Sequence, residues 1–132
     1  MNYSKYIQIA FDNLKNSYSP YSNFKVSACL LAKSGKVYTG NNIENATYGA
    51  TICAERTAIT KAVSEGDKEF ELIVIVCSGE DFAYPCGICR QVMVEFSPDM
   101  KVIVAKSQED YRVHTASELL PHFFSLKSEG EK

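Results

Sequence analysis

Four side chains have the types and spacing of a catalytic metal site. Cys53 is followed two positions later by Glu55, and Cys86 and Cys89 stand three apart in Pro85-Cys86-Gly87-Ile88-Cys89. Three thiolates fill three corners of a zinc tetrahedron, whereas a closed structural site wants four protein ligands. No further Cys or His stands near either motif, so an open site that keeps a place for water is the better fit. Zinc lowers the pKa of bound water to about 7, and Glu55 is then the candidate to take that proton and pass it on. The alternative for Glu55 is an exposed helix glutamate, because spacing does not turn it toward the metal. Taken alone, the Cys-x-x-Cys also fits a redox pair or half of a structural zinc site. A redox pair leaves Cys53 and Glu55 without a task.

Charge brings in a fifth residue. Three thiolates and one zinc ion sum to −1, which weakens the metal as a Lewis acid. Groups around the ligands can restore it. Arg56 follows Cys53 by three positions, within reach on a helix, and is read as hydrogen-bonding the ligand sulfurs; the alternative is a surface arginine.

The elements that must position these groups follow from hydrophobic periodicity. Residues 2 to about 17 carry an apolar stripe at helical spacing, through Tyr3, Tyr6, Ile7, Ala10, Phe11 and Leu14. Residues 24–31 and 37–40 read as a hairpin around Gly35. A helix starts near Thr51 or Cys53 and runs to Val63. Residues 71–77 form an apolar, β-branched run, the pattern of a buried central strand. A second helix opens at Pro85 or Cys86 and runs to about Phe96. Residues 101–105 and 111–114 read as strands, and a short helix follows from Thr115 or Ser117 to Pro121. The fold class predicted is α/β, a single mixed β-sheet of about five strands with helices on both faces. Both helix starts carrying cysteines then lie at one sheet edge, where amide groups favour thiolates. Residues 1–132 read as a single domain, with 125–132 as a mobile tail.

Composition bounds the rest. The chain has 132 residues, 45% hydrophobic and 23% charged, a globular mix. No apolar run is long enough to cross a membrane, and the N-terminus lacks the form of a secretory signal. Net charge is −2, with Lys and Arg scattered, which argues against a nucleic-acid partner. Five cysteines, an odd number, fit a reducing compartment better than a disulfide framework. The expectation is a cytoplasmic protein with neither membrane nor nucleic-acid partner. Cys29 and Cys77 sit in apolar runs and read as core. His114 and His122 read as surface or capping residues. Asn42 and Glu44, in a polar cluster past a strand end, suit either binding or a plain turn.

Cys53-Ala54-Glu55-Arg56-Thr57-Ala58 together with Pro85-Cys86-Gly87-Ile88-Cys89-Arg90-Gln91 closely resembles the cytidine deaminases, within the wider class of zinc deaminases that use a non-ligand Glu as acid and base. The likeness extends through residues 18–26, 40–48, 62–66 and 118–121. It implies hydrolytic deamination of cytidine and deoxycytidine to uridine and deoxyuridine, as in pyrimidine salvage. Cys53, Cys86 and Cys89 would hold one Zn2+ per subunit, and Glu55 would protonate N3 and the leaving amine. By the same resemblance Phe24 and Ala54 meet the base, and Asn42 and Glu44 bind the ribose. The chain length resembles the short homotetrameric form, in which a neighbouring subunit lends Ala46, Tyr48 and Phe124; Phe123 stands beside Phe124 as the alternative. The sequence departs from the pattern at Ser27-Ala28-Cys29, at Gly49-Ala50-Thr51, and at His122, where a glycine is common.

Two other functions compete with this one. A related deaminase could act on a nucleoside antibiotic such as blasticidin, or on a base in RNA, which the absent basic stripe disfavours. A structural zinc module would need a fourth protein ligand.

Overall fold

The computed structural model describes residues 2–127. Residues 128–132 of the expected tail lie outside the described residues. The elements are α1 (Ser4–Asp12), β1 (Val26–Ala32), β2 (Val37–Asn41), α2 (Ala54–Ser64), β3 (Phe70–Cys77), α3 (Gly87–Phe96), β4 (Lys101–Ala105) and β5 (Tyr111–Thr115). Short 3-10 turns occupy Leu14–Asn16, Tyr48–Ala50 and Ser117–Leu119. The strands make one mixed sheet in the order β2-β1-β3-β4-β5. Only β3 and β4 run parallel, joined by the crossover through α3; the other pairs are antiparallel.

Alternation along β1 divides the core. Ala28 and Leu30 join Ala54, Ala58, Ile59 and Met93 under α2 and α3. Cys29 and Leu31 face the other way and meet Ile7 and Ala10 of α1. Helices therefore cover both faces of the five-stranded sheet, as expected. Cys29 is fully buried, and burial pushes its thiol up to about 12. Cys77 is not core as expected. It ends β3 half-exposed, with Sγ donating to Asp81 O at 3.4 Å.

Two helices are shorter than their periodicity. The apolar stripe of α1 continues to Leu14, yet the helix stops at Asp12 and tightens into a 3-10 turn. Asn13 donates its side-chain amide to Asn41 Oδ1 of β2 at 2.8 Å, and Asn41 returns a bond to Asn13 O at 2.8 Å. The last helix is only the turn Ser117–Leu119. Ser27, one of the departures from the family pattern, is fully buried with an unpartnered hydroxyl.

One close approach fixes α2. A Cβ on Gly40 would lie 2.4 Å from Ala54 O and 2.5 Å from Ala58 N. Without it, the first turn of α2 rests directly on β2.

Candidate active site

Strand direction brings the candidate residues to one edge. β2 and β3 both run antiparallel to β1, so the ends of β2 and β3 and the start of β1 share that edge. Phe24 precedes β1, Asn42 follows β2, and the loop ahead of Cys86 follows β3. Cys53 and Cys86 are the residues just before the first turns of α2 and α3, and Cys89 lies in the first turn of α3.

Cys53 Sγ and Cys86 Sγ are 3.8 Å apart, Cys86 Sγ and Cys89 Sγ 3.5 Å, and all three sulfurs lie within 4.8 Å of one another. Thiolates at tetrahedral corners about 2.3 Å from zinc stand about 3.8 Å apart. The donor set therefore fits zinc by type, number and separation. Among the described residues no fourth Cys, His, Asp or Glu joins it.

Charge is distributed unevenly. Hydrogen bonds from Cys89 and Arg56 pull the Cys53 thiol down to about 5, and the same shared bond with burial raises Cys89. Arg56 Nη2 donates to Cys53 Sγ at 3.4 Å, and that contact holds the guanidinium further toward its charged form. Glu55 is 4% exposed. Burial, and then the negative Cys53, push its carboxyl up to about 7.

These groups open on a cavity of about 430 Å³ lined by Cys53, Ala54, Glu55 and Cys86, with Phe24 and Asn42 across from them in sequence. Phe24 is 43% exposed, and Asn23 before it takes a positive φ of 58° that turns the chain. Asn42 is heavily used within the chain. Its Oδ1 accepts from Val26 N at 3.0 Å and from Ser17 Oγ, and its Nδ2 donates to Phe24 O at 2.8 Å.

The comparisons with known proteins meet at this geometry. The family model described as the cytidine and deoxycytidylate deaminase zinc-binding region matches residues 1–106. The chain belongs to this deaminase family. It is similar to the cytidine deaminase of Halalkalibacterium halodurans, 48% identical over 122 residues, covering 92% of this chain and 92% of that protein. A probable cytidine deaminase of Dictyostelium discoideum is 47% identical over 122 residues, 92% of this chain and 82% of its own. The crystal structure of cytidine deaminase from Burkholderia pseudomallei is 43% identical with a TM-score of 0.88, covering 94% of this chain and all of that one, 100%.

In this member of the deaminase family the remaining expected residues are more dispersed. Glu44 does not line the main cavity. Its carboxylate accepts from Tyr21 N at 2.9 Å, Ser22 N at 3.1 Å and Ser22 Oγ, and the Ser22 hydroxyl above all lowers its pKa. Glu44 and Tyr48 instead border a neighbouring hollow of about 380 Å³ with Tyr21 and Ser22. Ala46 is exposed, and Tyr48 is 79% exposed. Phe123 packs against the core, whereas Phe124 is 68% exposed, with its carbonyl accepting from Gln91 Nε2 at 3.0 Å. None of Ala46, Tyr48 and Phe124 lines the main cavity of its own chain. His122 takes φ 56°, the left-handed backbone that favours glycine, which accounts for the usual glycine there.

Sequence reasoning missed one wall of the cavity. Phe82, Ala83 and Tyr84 line it, from the stretch between the strand at 71–77 and the helix that opens at Pro85 or Cys86. A Cβ on Gly79 would stand 3.1 Å from Phe24 Cε1, so this glycine leaves room for the Phe24 ring. His114, read as surface or capping, reaches the cavity lining through Tyr84, with Tyr84 Oη 2.9 Å from His114 Nε2. The signal available was two aromatic residues at alternate positions just ahead of the Cys-x-x-Cys.

Proposed function

We propose that the chain is a zinc-dependent cytidine deaminase, which hydrolyses cytidine and deoxycytidine to uridine and deoxyuridine with release of ammonia. The observation that carries this reading is the buried Glu55 carboxyl on one cavity with Cys53 and Cys86, whose sulfurs cluster with that of Cys89, in a chain of this family. Cys53, Cys86 and Cys89 would hold the metal. When bound, zinc supplies a Lewis acid that makes water a nucleophile near neutral pH.

Glu55 moves the protons. It takes one from the attacking water and hands it to N3 of the base, then takes the second proton of that oxygen as the C4 carbonyl forms and gives it to the leaving amine, so that ammonia departs. A carboxyl titrating near 7 can do both. Arg56 offsets the negative charge of the thiolates through its bond to Cys53 Sγ. Phe24 packs on the base, and the Ala54 main chain borders it. Asn42 keeps one Nδ2 hydrogen for a sugar hydroxyl after its internal bonds, and Glu44 keeps spare acceptor capacity.

In this reading Ala46, Tyr48 and Phe124 act on the site of a neighbouring subunit in a homotetramer, which their exposure supports. Five unbridged cysteines among the described residues support a reducing, cytoplasmic setting, and deamination of free nucleosides would give the chain its place in pyrimidine salvage. No helix of the described residues is long and apolar enough to cross a membrane.

A substrate panel tests the reading. Zinc-loaded protein should deplete the ultraviolet absorbance of cytidine and deoxycytidine, leaving blasticidin S and single-stranded RNA nearly untouched. Turnover of blasticidin S with none of cytidine would replace the reading with the antibiotic deaminase.

A further inference from the structure

The cavity wall missed by the sequence is held in an unusual way. Among the described residues, the amides of residues 79–84 donate no hydrogen bond to another protein group. Side chains hold the segment instead. Phe82 lies under two cations, with Lys106 Nζ 4.6 Å and Arg112 Cζ 4.9 Å from its ring centroid. Tyr84 lies against His114, ring centroids 5.5 Å apart, in addition to the 2.9 Å hydrogen bond.

The pairing follows strand geometry. Arg112 and His114 alternate on β5, so they share a face. They stand opposite Val104 and Val102 in the register, both in the core beneath α2 and α3. Two aromatic residues two apart on the loop thus meet two basic residues two apart on the edge strand. Each basic side chain is itself oriented: Arg112 Nη1 lies 3.2 Å from Asp110 Oδ1, and His114 Nδ1 lies 3.9 Å from Glu118 Oε2.

We propose that Arg112 and His114 are positioning residues of the deaminase site, clamping Phe82 and Tyr84 so that residues 79–85 keep the shape of the substrate cavity. Neither touches the reacting atoms. The clamp acts on a loop that ends at Cys86, so it favours the cavity form that admits a nucleoside. The inference rests on the deaminase reading for its effect on catalysis, though not for the clamp itself.

Two readouts test it on the zinc-loaded protein. In Arg112→Ala and His114→Ala, KM for cytidine rises about two- to tenfold each, with kcat within about twofold of the parent. Chymotrypsin cleavage after Phe82, followed by mass spectrometry, becomes faster in both. Arg112→Lys keeps a cation over the ring, His114→Gln keeps a hydrogen-bonding partner for Tyr84, and both return toward the parent in both readouts. Unchanged KM, or unchanged cleavage after Phe82, in the two alanine variants overturns the proposal. A parent that cleaves no cytidine would refute the deaminase reading instead, and the cleavage rates would still decide the clamp.

Discussion

Glu55 combines near-complete burial with a neighbouring negative sulfur, and both hold its carboxyl protonated to about pH 7. A group poised there gives and takes protons at little cost. Glu55→Gln keeps the shape and removes the proton transfer. The variant should retain its zinc and lose turnover by at least about 10²-fold, checked by metal content and deamination rate on the same sample. Turnover within a few-fold of the parent would remove Glu55 from the chemistry. At this scale the sequence revealed the sulfur ligand set, because thiol side chains announce metal chemistry by residue type, even with Cys53 33 positions before Cys86. It left open where Glu55 points, since a residue two positions after a ligand can face metal or solvent. Phe82 and Tyr84 stayed hidden for a different reason: their partners Arg112 and His114 stand about thirty positions later, and only strand pairing brings them together.

Among the elements, α2 carries most of the site, and its seat on β2 depends on Gly40. The atoms that a Cβ would strike are backbone, Ala54 O and Ala58 N, so no side chain can swing away. Gly40→Ala should push the start of α2 outward and lower stability by about 1–3 kcal/mol, as overpacking does. Because Cys53 and Glu55 ride on that turn, zinc affinity and turnover should fall further than Tm alone would suggest. Denaturant unfolding beside metal titration checks this, and an unshifted zinc affinity would show that the seat does not govern the site. The strands were legible to within about two residues, as β-branched runs and alternation are strong local signals. The ends of α1 and the last helix were not. Asn13 and Asn41 form a tertiary contact that ends α1 early, and periodicity carries no record of it.

The whole molecule leaves large apolar side chains uncovered. Tyr48 is 79%, Phe124 68%, Ile88 62% and Leu126 88% exposed. Tyr48 and Phe124 are the residues assigned to a neighbouring site, and Ile88 lies between two cysteines of the metal set. Light scattering behind size exclusion should give the mass of four copies of the 14.7 kDa chain, and Phe124→Ala should raise KM for cytidine about fivefold or more while keeping the assembly. A monomer of full activity would contradict the shared site. The zinc itself offers the most direct test of the account. Metal content and cytidine turnover are measured on one preparation as isolated, after chelation, and after zinc is returned. The account predicts one zinc per chain, activity lost with the metal, and activity restored in proportion to zinc rebound. Deamination that persists undiminished in metal-free protein would contradict it.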